Sequence, residues 1–271
     1  MRKVAAIQMA SGPNVDANLH EAGRLIRQAV DAGAGLVVLP ENFAIMGVQE
    51  EDKVEVREPP GNGAIQNFLA EQARHHNIWL VGGTVPLECE DPNKIFAACL
   101  VYDDQGKCVV RYDKIHLFDV NLVETGESYN ESETIEYGRT GLQVIDSPFG
   151  RIGFAVCYDL RFPELFRELL DMGAQVVVFP AAFTAATGQA HWESLIRARA
   201  IENVMYVIAS AQGGYHVSGR TTYGDSMIVD PWGVILNRVK QGAGIAVGGV
   251  NLDYLESRRK TFPCIQHRRL K

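Results

Sequence analysis

The chain has 271 residues and 46% of them are hydrophobic, which is enough to form a sizeable core in one or two domains. Its 26 basic residues are outnumbered by 33 acidic ones, and the net charge of −7 disfavours a nucleic-acid-binding protein. The longest apolar run, 176–183, is too short to cross a bilayer. We therefore expect neither a nucleic-acid partner nor a membrane association.

The N-terminus and the cysteines favour a cytoplasmic protein. The first eight residues lack a long apolar segment and are typical of a mature chain, not of a signal peptide. An odd number of cysteines without CxxC spacing favours reduced thiols over a disulfide framework. The five are Cys89, Cys99, Cys108, Cys157 and Cys264.

A faint internal repeat organises the chain. Residues 31–43 resemble residues 171–183, since both contain a helix end, a glycine turn, a β-branched strand and a proline stop. Each copy is followed by a helical stretch, at about 63–76 and about 190–202, and then by a hairpin. The hairpin turns are predicted at 103–106 and 230–233.

The repeat predicts an α/β fold. The strands at 36–39 and 176–179 are apolar on both faces, so each needs cover on both sides. Two pseudo-symmetric halves with two sheets face to face and helices outside satisfy this need. The first helix has apolar residues at three- and four-residue steps, and Asp16 is its expected N-cap.

Without a Pro/Gly/Ser-rich linker between the halves, the expected organisation is one domain over 1–255 and a basic tail over 256–271. Residues 119–140 are polar and poorly periodic, so we expect a long connection there.

Cys157 is the most suggestive cysteine because it follows an apolar strand and precedes a turn into a helix. A nucleophile in that position faces backbone N–H groups and a helix dipole. The alternative is a small core residue, which is the usual fate of a free cysteine. An activating base is required; the chain has seven histidines, of which His116 and His191 have the richest contexts.

Two further charged residues lie beside apolar strands. Glu41 follows the strand at 36–39 and its proline, where a carboxylate is costly to bury without a purpose. Lys114 has apolar residues around it after a hairpin strand and could fix a negative charge on a substrate. Each residue taken alone has a commoner structural role. Glu41 could cap the N-terminus of a helix, and the side chain of Lys114 could extend to solvent.

Together, three motifs resemble the nitrilase (carbon–nitrogen hydrolase) superfamily, in that family's chain order. They lie at 39–42, 112–117 and 157–164, and the resemblance covers almost the whole chain. It implies a four-layer α-β-β-α sandwich, hydrolysis of amides without a cofactor or metal, and a homodimer or higher homo-oligomer in which the tail crosses between subunits.

The resemblance also implies roles for single residues. Cys157 matches the nucleophile, Glu41 the general base, and Lys114 the cation that faces the oxyanion, with the backbone N–H of Tyr158 as a second donor. Glu131 matches a fourth residue that orients Lys114, although Glu127 and Glu133 remain alternatives. A nearby ammonium favours the thiolate of a cysteine, whereas a carboxylate disfavours it.

Downstream segments at 180–184, 188–193, 197–203 and 230–233 resemble the Nit branch of this superfamily. Segments at 211–216, 223–227 and 262–269 resemble its deaminated glutathione amidase group, which implies deaminated glutathione as substrate and α-ketoglutarate and cysteinylglycine as products. The pair Ala185 and Ala186 departs from related sequences.

Three residues that follow strand ends, Tyr158, Phe183 and Thr184, are the candidates for shaping the substrate pocket, with ordinary packing as the alternative. Arg161 could pair with a substrate carboxylate, but at a helix start we expect a structural ion pair.

Several other functions remain open. An ω-amidase, a carbamoyl amidase or a nitrilase would keep the same chemistry on another substrate, and a catalytically silent scaffold would keep only the fold. A metal hydrolase is disfavoured because the chain has no HExxH or paired Cys/His spacing, and a nucleotide enzyme because it has no P-loop.

Overall fold

Two stacked β-sheets flanked by helices make up the computed structural model, which describes residues 1–123 and 126–270. The strands are β1 (Arg2–Gln8), β2 (Leu36–Val38), β3 (Trp79–Val81), β4 (Val85–Glu88), β5 (Ile95–Tyr102), β6 (Cys108–Asp113), β7 (Asp119–Leu122), β8 (Glu127–Asn130), β9 (Val144–Ser147), β10 (Gly150–Phe154), β11 (Val176–Ala181), β12 (Tyr206–Ala211), β13 (Gly213–Tyr215), β14 (Thr221–Tyr223), β15 (Ser226–Val229), β16 (Ile235–Val239) and β17 (Gly244–Val250). The α-helices are α1 (Val15–Asp31), α2 (Asp52–Glu55), α3 (Ala64–His76), α4 (Pro163–Asp171), α5 (Ala185–Asn203) and α6 (Leu252–Thr261). Three 3₁₀ turns lie at Glu131–Glu133, Cys157–Arg161 and Cys264–His267.

The two sheets repeat one plan. The first has the order β17-β1-β2-β3-β5-β4, with β6 also paired to β5. The second has the order β16-β15-β12-β11-β10-β9. At the centre of each, three strands run parallel: β1, β2 and β3 in the first sheet, and β10, β11 and β12 in the second. The hairpins predicted at 103–106 and 230–233 are β5–β6 and β15–β16.

Alternating side chains on the central strands separate the core into layers. In β1, Val4 and Ala6 belong to the core between the sheets, whereas Ala5 and Ile7 pack with the helix residues Leu25 and Ile26. Because successive side chains of a strand point to opposite faces, a strand that is buried on both sides must be apolar throughout.

The outer face of the second sheet is covered in the same way. The Phe179 ring lies 6.5 Å from that of Phe166 in α4 and 5.9 Å from that of Trp192 in α5, centroid to centroid. Helices therefore lie outside both sheets, and the predicted α-β-β-α sandwich is confirmed.

Two predictions about helix starts were wrong. The N-cap of α1 is Asn14, whose Oδ1 accepts a hydrogen bond of 2.8 Å from the N–H of Ala17, while Asp16 lies in the first turn. Helix α5 begins at Ala185, earlier than the predicted position near 190, because the Thr184 side chain caps it.

The predicted long connection 119–140 contains secondary structure. Strands β7 and β8 pair as a short antiparallel sheet and lead into the turn Glu131–Glu133. Residues 124 and 125 of this segment lie outside the described residues. The division into 1–255 and 256–271 stays a prediction, and α6 spans that boundary.

Within the part of the chain that the structure describes, no helix is both long and apolar enough to span a membrane.

The cap of α1 gives a stability test. Replacing Asn14 with alanine removes the side-chain acceptor and should lower the free energy of unfolding by about 1 kcal/mol. The control Asp16→Ala should lower it by less, because it removes only a favourable charge near the helix N-terminus. Urea unfolding measures both, and a larger loss for Asp16→Ala would contradict the assignment of Asn14 as the cap.

Candidate active site

Glu41 follows β2 and is held in place by its neighbours. Asn42 adopts a left-handed conformation with φ of 55°, and its N–H donates to Thr84 Oγ1 at 2.8 Å. Gly83 packs against the backbone so closely that a Cβ there would lie 2.0 Å from the carbonyl oxygen of Pro40. Only a glycine fits at this contact. The neighbouring Glu41 lies in the interior, with 3% of its surface exposed.

Lys114 follows β6 and is fully buried. Its N–H donates to the carbonyl of Ala97 at 3.1 Å, and its carbonyl accepts from the N–H of Gly138 at 2.9 Å. The ammonium lies 2.9 Å from Glu41 Oε1, and 2.9 and 2.7 Å from the two carboxylate oxygens of Glu131. Both carboxylates compensate the charge that burial takes away from water.

The three candidate glutamates of the connection occupy different positions. Glu131 begins the 3₁₀ turn and, besides Lys114, accepts a hydrogen bond of 2.8 Å from the N–H of Phe118. Glu133 is exposed and accepts from the Asn130 amide. Glu127 accepts from the Tyr129 hydroxyl. Of these three carboxylates, that of Glu131 contacts the ammonium of Lys114.

Cys157 begins the 3₁₀ turn that follows β10 by two residues. Its φ of 48° is left-handed, which is uncommon for a residue with a side chain and typical of a strained turn that presents a nucleophile. The Glu41 carboxylate lies near enough to this side chain to raise the pKa of its thiol. About 7% of the residue's surface is exposed, and this part opens into a pocket.

Asp159 holds this turn and was not singled out from the sequence. Its fully buried carboxylate accepts from the N–H of Val156 at 2.8 Å and from the hydroxyl of Tyr112 at 2.6 Å, and it lies 2.7 Å from His116 Nδ1. Because Tyr112 and His116 stand on either side of Lys114 in the chain, Asp159 ties the cysteine turn to the lysine segment. The signal in the sequence was an aspartate two residues after the candidate nucleophile.

The base nearest Cys157 is a carboxylate and not a histidine. His191 lies beside Arg161, and His216 is buried between the carbonyl of Ser11 and the hydroxyl of Thr222. In the described ranges, no cluster of three or more His, Cys, Asp or Glu side chains is arranged to hold a metal ion.

The electrostatics of the cluster favour a neutral thiol. Burial and the nearby Glu41 carboxylate raise the pKa of Cys157 well above its usual value, and Lys114 offsets this only in part. The ammonium acts in the expected direction, since it lowers the pKa of the thiol, but burial and the carboxylates outweigh it in the resting site. Burial would lower the pKa of Lys114, but Glu131 and Glu41 outweigh it and the net shift is upward. Burial likewise opposes ionisation of Glu131, but Lys114 and Lys53 hold its pKa below the usual value.

A pocket of about 260 Å³, measured out to its open mouth, gives access to the sulfur. The three predicted substrate-binding residues, Tyr158, Phe183 and Thr184, all line it, as does Glu131. Glu41 and Lys114 lie behind this wall. Residues that the sequence did not single out complete the lining: Phe118, Ala182, Thr187 and Arg220.

Two arginines line the same pocket. Arg161 lies over the rings of Tyr158 and Phe183, at 5.8 and 5.4 Å from their centroids, and Arg220 lies 5.0 Å from that of Tyr129. Neither has a carboxylate within 4 Å among the described residues. The expected structural ion pair of Arg161 is thus absent there, because its guanidinium packs on aromatic rings.

Known proteins are similar to this chain in both sequence and fold. The carbon-nitrogen hydrolase family model matches residues 3–260. A Synechocystis protein named deaminated glutathione amidase is 44% identical over 266 residues, which cover 97% of each chain.

Two crystal structures extend this similarity. The C. elegans NitFhit protein has a TM-score of 0.89 and 35% identity, over 99% of this chain and 65% of its own. Nit3 of Saccharomyces cerevisiae, described as a member of branch 10 of the nitrilase superfamily, has a TM-score of 0.88 and 32% identity, over 99% and 97%. The resemblance read from the three motifs is confirmed, and the chain belongs to the carbon-nitrogen hydrolase family, whose members are enzymes of the nitrilase superfamily.

Proposed function

We propose that this protein hydrolyses the amide bond of deaminated glutathione by way of a thioester on Cys157, releasing α-ketoglutarate and cysteinylglycine. The observation that carries the proposal is the convergence of Glu41, Lys114, Glu131 and Cys157 from distant segments at one pocket. The substrate is supported by the names of the similar proteins and by the two arginines without carboxylate partners, which suit an amide with a carboxylate at each end.

In the first half of the reaction, the thiol of Cys157 gives its proton to Glu41 while the sulfur attacks the amide carbon. The carbonyl electrons move to the oxygen, and this oxyanion faces Lys114 and the N–H of Tyr158. Glu41 then returns the proton to the nitrogen as the carbon–nitrogen bond breaks. The amine leaves, and the acyl group remains on sulfur.

In the second half, water gives a proton to Glu41 and its oxygen attacks the thioester carbon. The carbon–sulfur bond breaks, the sulfur recovers the proton from Glu41, and the acid leaves. Glu41 is suited to serve both halves because its carboxylate contacts the ammonium of Lys114 and lies near the thiol of Cys157.

Lys114 must change partners during this cycle. An ammonium has three N–H donors, and the side chain already contacts Glu41 and both oxygens of Glu131. An oxyanion therefore takes over one of the contacts to Glu131. In this proposal Glu131 is a positioning residue, which holds Lys114 until negative charge forms on the substrate.

We further propose a homodimer or higher homo-oligomer. Large apolar side chains lie close together on the outer face near α5 and α6, and the Trp232 and Phe262 rings are 5.4 Å apart. These two residues, with Ile201 and Val234, are 46 to 51% exposed. Phe262 belongs to the tail 256–271, which supports the expectation that the tail contributes to the interface.

We also place the protein in the cytoplasm. All five cysteines are unpaired thiols, which supports a reducing compartment. Cell fractionation with an antibody against the native protein tests this, and recovery only from an oxidising compartment would contradict it.

The substrate and the base can be tested together. The wild-type protein should hydrolyse deaminated glutathione with a kcat/KM at least about tenfold above that for α-ketoglutaramate, and Cys157→Ala should abolish turnover. Glu41→Gln should lower kcat at least about 100-fold, because it removes the base without changing the shape. Glu133→Gln, the same change on an exposed glutamate, is the control.

Mass spectrometry of the intact chain adds an independent readout, since a single turnover of the wild type should pass through an acyl group on Cys157. An unmodified thiol in an active preparation would rule out covalent catalysis. A preference for α-ketoglutaramate would make the protein an ω-amidase, and no amide hydrolysis at all would favour a silent scaffold.

The raised pKa of Cys157 predicts how the thiol titrates. Since the neutral form is favoured below a raised pKa, the resting enzyme should gain no thiolate from Cys157 between pH 6 and pH 9. The difference in absorbance near 240 nm between wild type and Cys157→Ser measures this. A thiolate that appears near neutral pH only in the wild type would show that Lys114 dominates.

The oligomer is tested in solution. Light scattering at micromolar concentration should give at least the mass of a dimer, and Val234→Asp should shift the protein towards the monomer because a charge would be buried in the interface. Val123→Asp, at another exposed valine, should leave the mass unchanged. A monomeric wild type would remove the proposal.

A further inference from the structure

Arg220 stands between two cavities. On one side it lines the pocket that contains Cys157. On the other it lines a second cavity of about 440 Å³, again measured out to its mouth, together with residues 46–50, Lys53 and Ser218. A ligand that is held at the sulfur and extends into the second cavity therefore passes the guanidinium.

The guanidinium of Arg220 has unused donors. It makes one hydrogen bond to the described residues, from Nη2 to the carbonyl oxygen of Ala182 at 2.7 Å. Its Nε is buried and has no hydrogen-bond partner among the described residues. Arginine presents five N–H donors in a planar fork that matches a carboxylate, so this side chain lacks the acceptor for which its shape is suited.

The second cavity supplies one carboxylate for two cations, since Glu50 interacts with both Lys53 and Arg220. Lys53 is buried and carries a positive charge there, but its ammonium lies 2.6 Å from Glu50, so that pair is balanced. Burial of an unpaired donor next to a cavity is costly unless a ligand supplies the partner. Because two neighbouring cations face one carboxylate, Arg220 retains capacity for an anion.

The position of Glu41 indicates which end of a substrate enters the second cavity. In the proposed reaction, Glu41 returns a proton to the leaving nitrogen, so that nitrogen must lie on the Glu41 side of the sulfur. The chain runs from Glu41 directly into residues 46–50, which form a wall of the second cavity. Phe183, Thr184 and Arg161 line only the pocket at the sulfur, which leaves them for the acyl end.

We propose that the second cavity is a subsite for the leaving group and that Arg220 binds the carboxylate of an amino acid or short peptide released there. The inference rests on the proposed amidase function and deepens it, because it says which part of the substrate sets the preference. An amide whose leaving group is ammonia leaves this subsite empty, whereas a peptide leaving group with a free carboxylate fills it.

The test compares two substrates that differ at one group: deaminated glutathione and its derivative with a carboxamide in place of the glycine carboxylate. The wild type should prefer the carboxylate about 10- to 100-fold in kcat/KM, as expected for a hydrogen-bonded charge pair. In Arg220→Gln this ratio should fall to within about threefold of one, mainly through KM. Arg220→Lys, which keeps the charge, should retain part of the preference.

Arg161→Gln is the matched control, since it makes the same change in the same pocket but faces the acyl end, which both substrates share. Its ratio should stay within about threefold of the wild-type ratio. Circular dichroism and thermal unfolding establish that each variant is folded, and Arg220→Lys keeps the test available if Arg220→Gln is not.

The outcomes separate the two proposals. If the wild type hydrolyses deaminated glutathione but does not distinguish it from the carboxamide, or if Arg220→Gln keeps the wild-type ratio, the leaving-group subsite is wrong and the amidase function stands. If the wild type hydrolyses neither compound, both proposals fall. A preference that is lost in Arg161→Gln and kept in Arg220→Gln would assign the leaving-group carboxylate to the other arginine.

Discussion

The site depends on one buried ammonium. Lys114 is fully buried, and its desolvation is compensated by Glu41 on one side and Glu131 on the other. Removal of a charge from water costs several kcal/mol unless partners and hydrogen bonds replace the solvent, so each of these three residues requires the other two. Their mutual dependence fixes the distance between two segments that are 73 residues apart in the chain.

The sandwich brings these segments together through strand ends. Glu41 follows β2 of the first sheet and Cys157 follows β10 of the second. The two ends lie close together, because the Glu41 carboxylate raises the pKa of the Cys157 thiol. Buried polar contacts then fix the details: the Gln212 amide, from the end of the second sheet, donates to the carbonyl of Glu41 at 3.0 Å. Asn42, which follows Glu41, and Cys157 itself both have left-handed backbone conformations. Tight turns therefore position the carboxylate and the thiol.

The sequence predicted the features that depend on the spacing of apolar residues and on the order of motifs along the chain. The layers of the sandwich were predicted from strands that are apolar on both faces and from the internal repeat. Glu41, Lys114 and Cys157 were chosen from three motifs in chain order. It missed what depends on contacts between distant residues. Nothing near Asp159 shows that Tyr112 and His116 meet its carboxylate, and nothing near Arg220 shows that a loop carries it to the pocket.

Charge was the other property that the sequence could not supply. The motifs supplied the ammonium, the thiol and two carboxylates, whose effects on the thiol oppose one another, but only the fold shows that the cluster is buried, and burial favours the uncharged sulfur. One positive and two negative groups beside the thiol also repel an anionic substrate. Carboxylates of a substrate must therefore lie away from this cluster, towards Arg161 and Arg220, which leaves the uncharged amide as the part that reaches Cys157. The same arrangement that keeps the sulfur protonated thus selects amides that carry their charge at the ends.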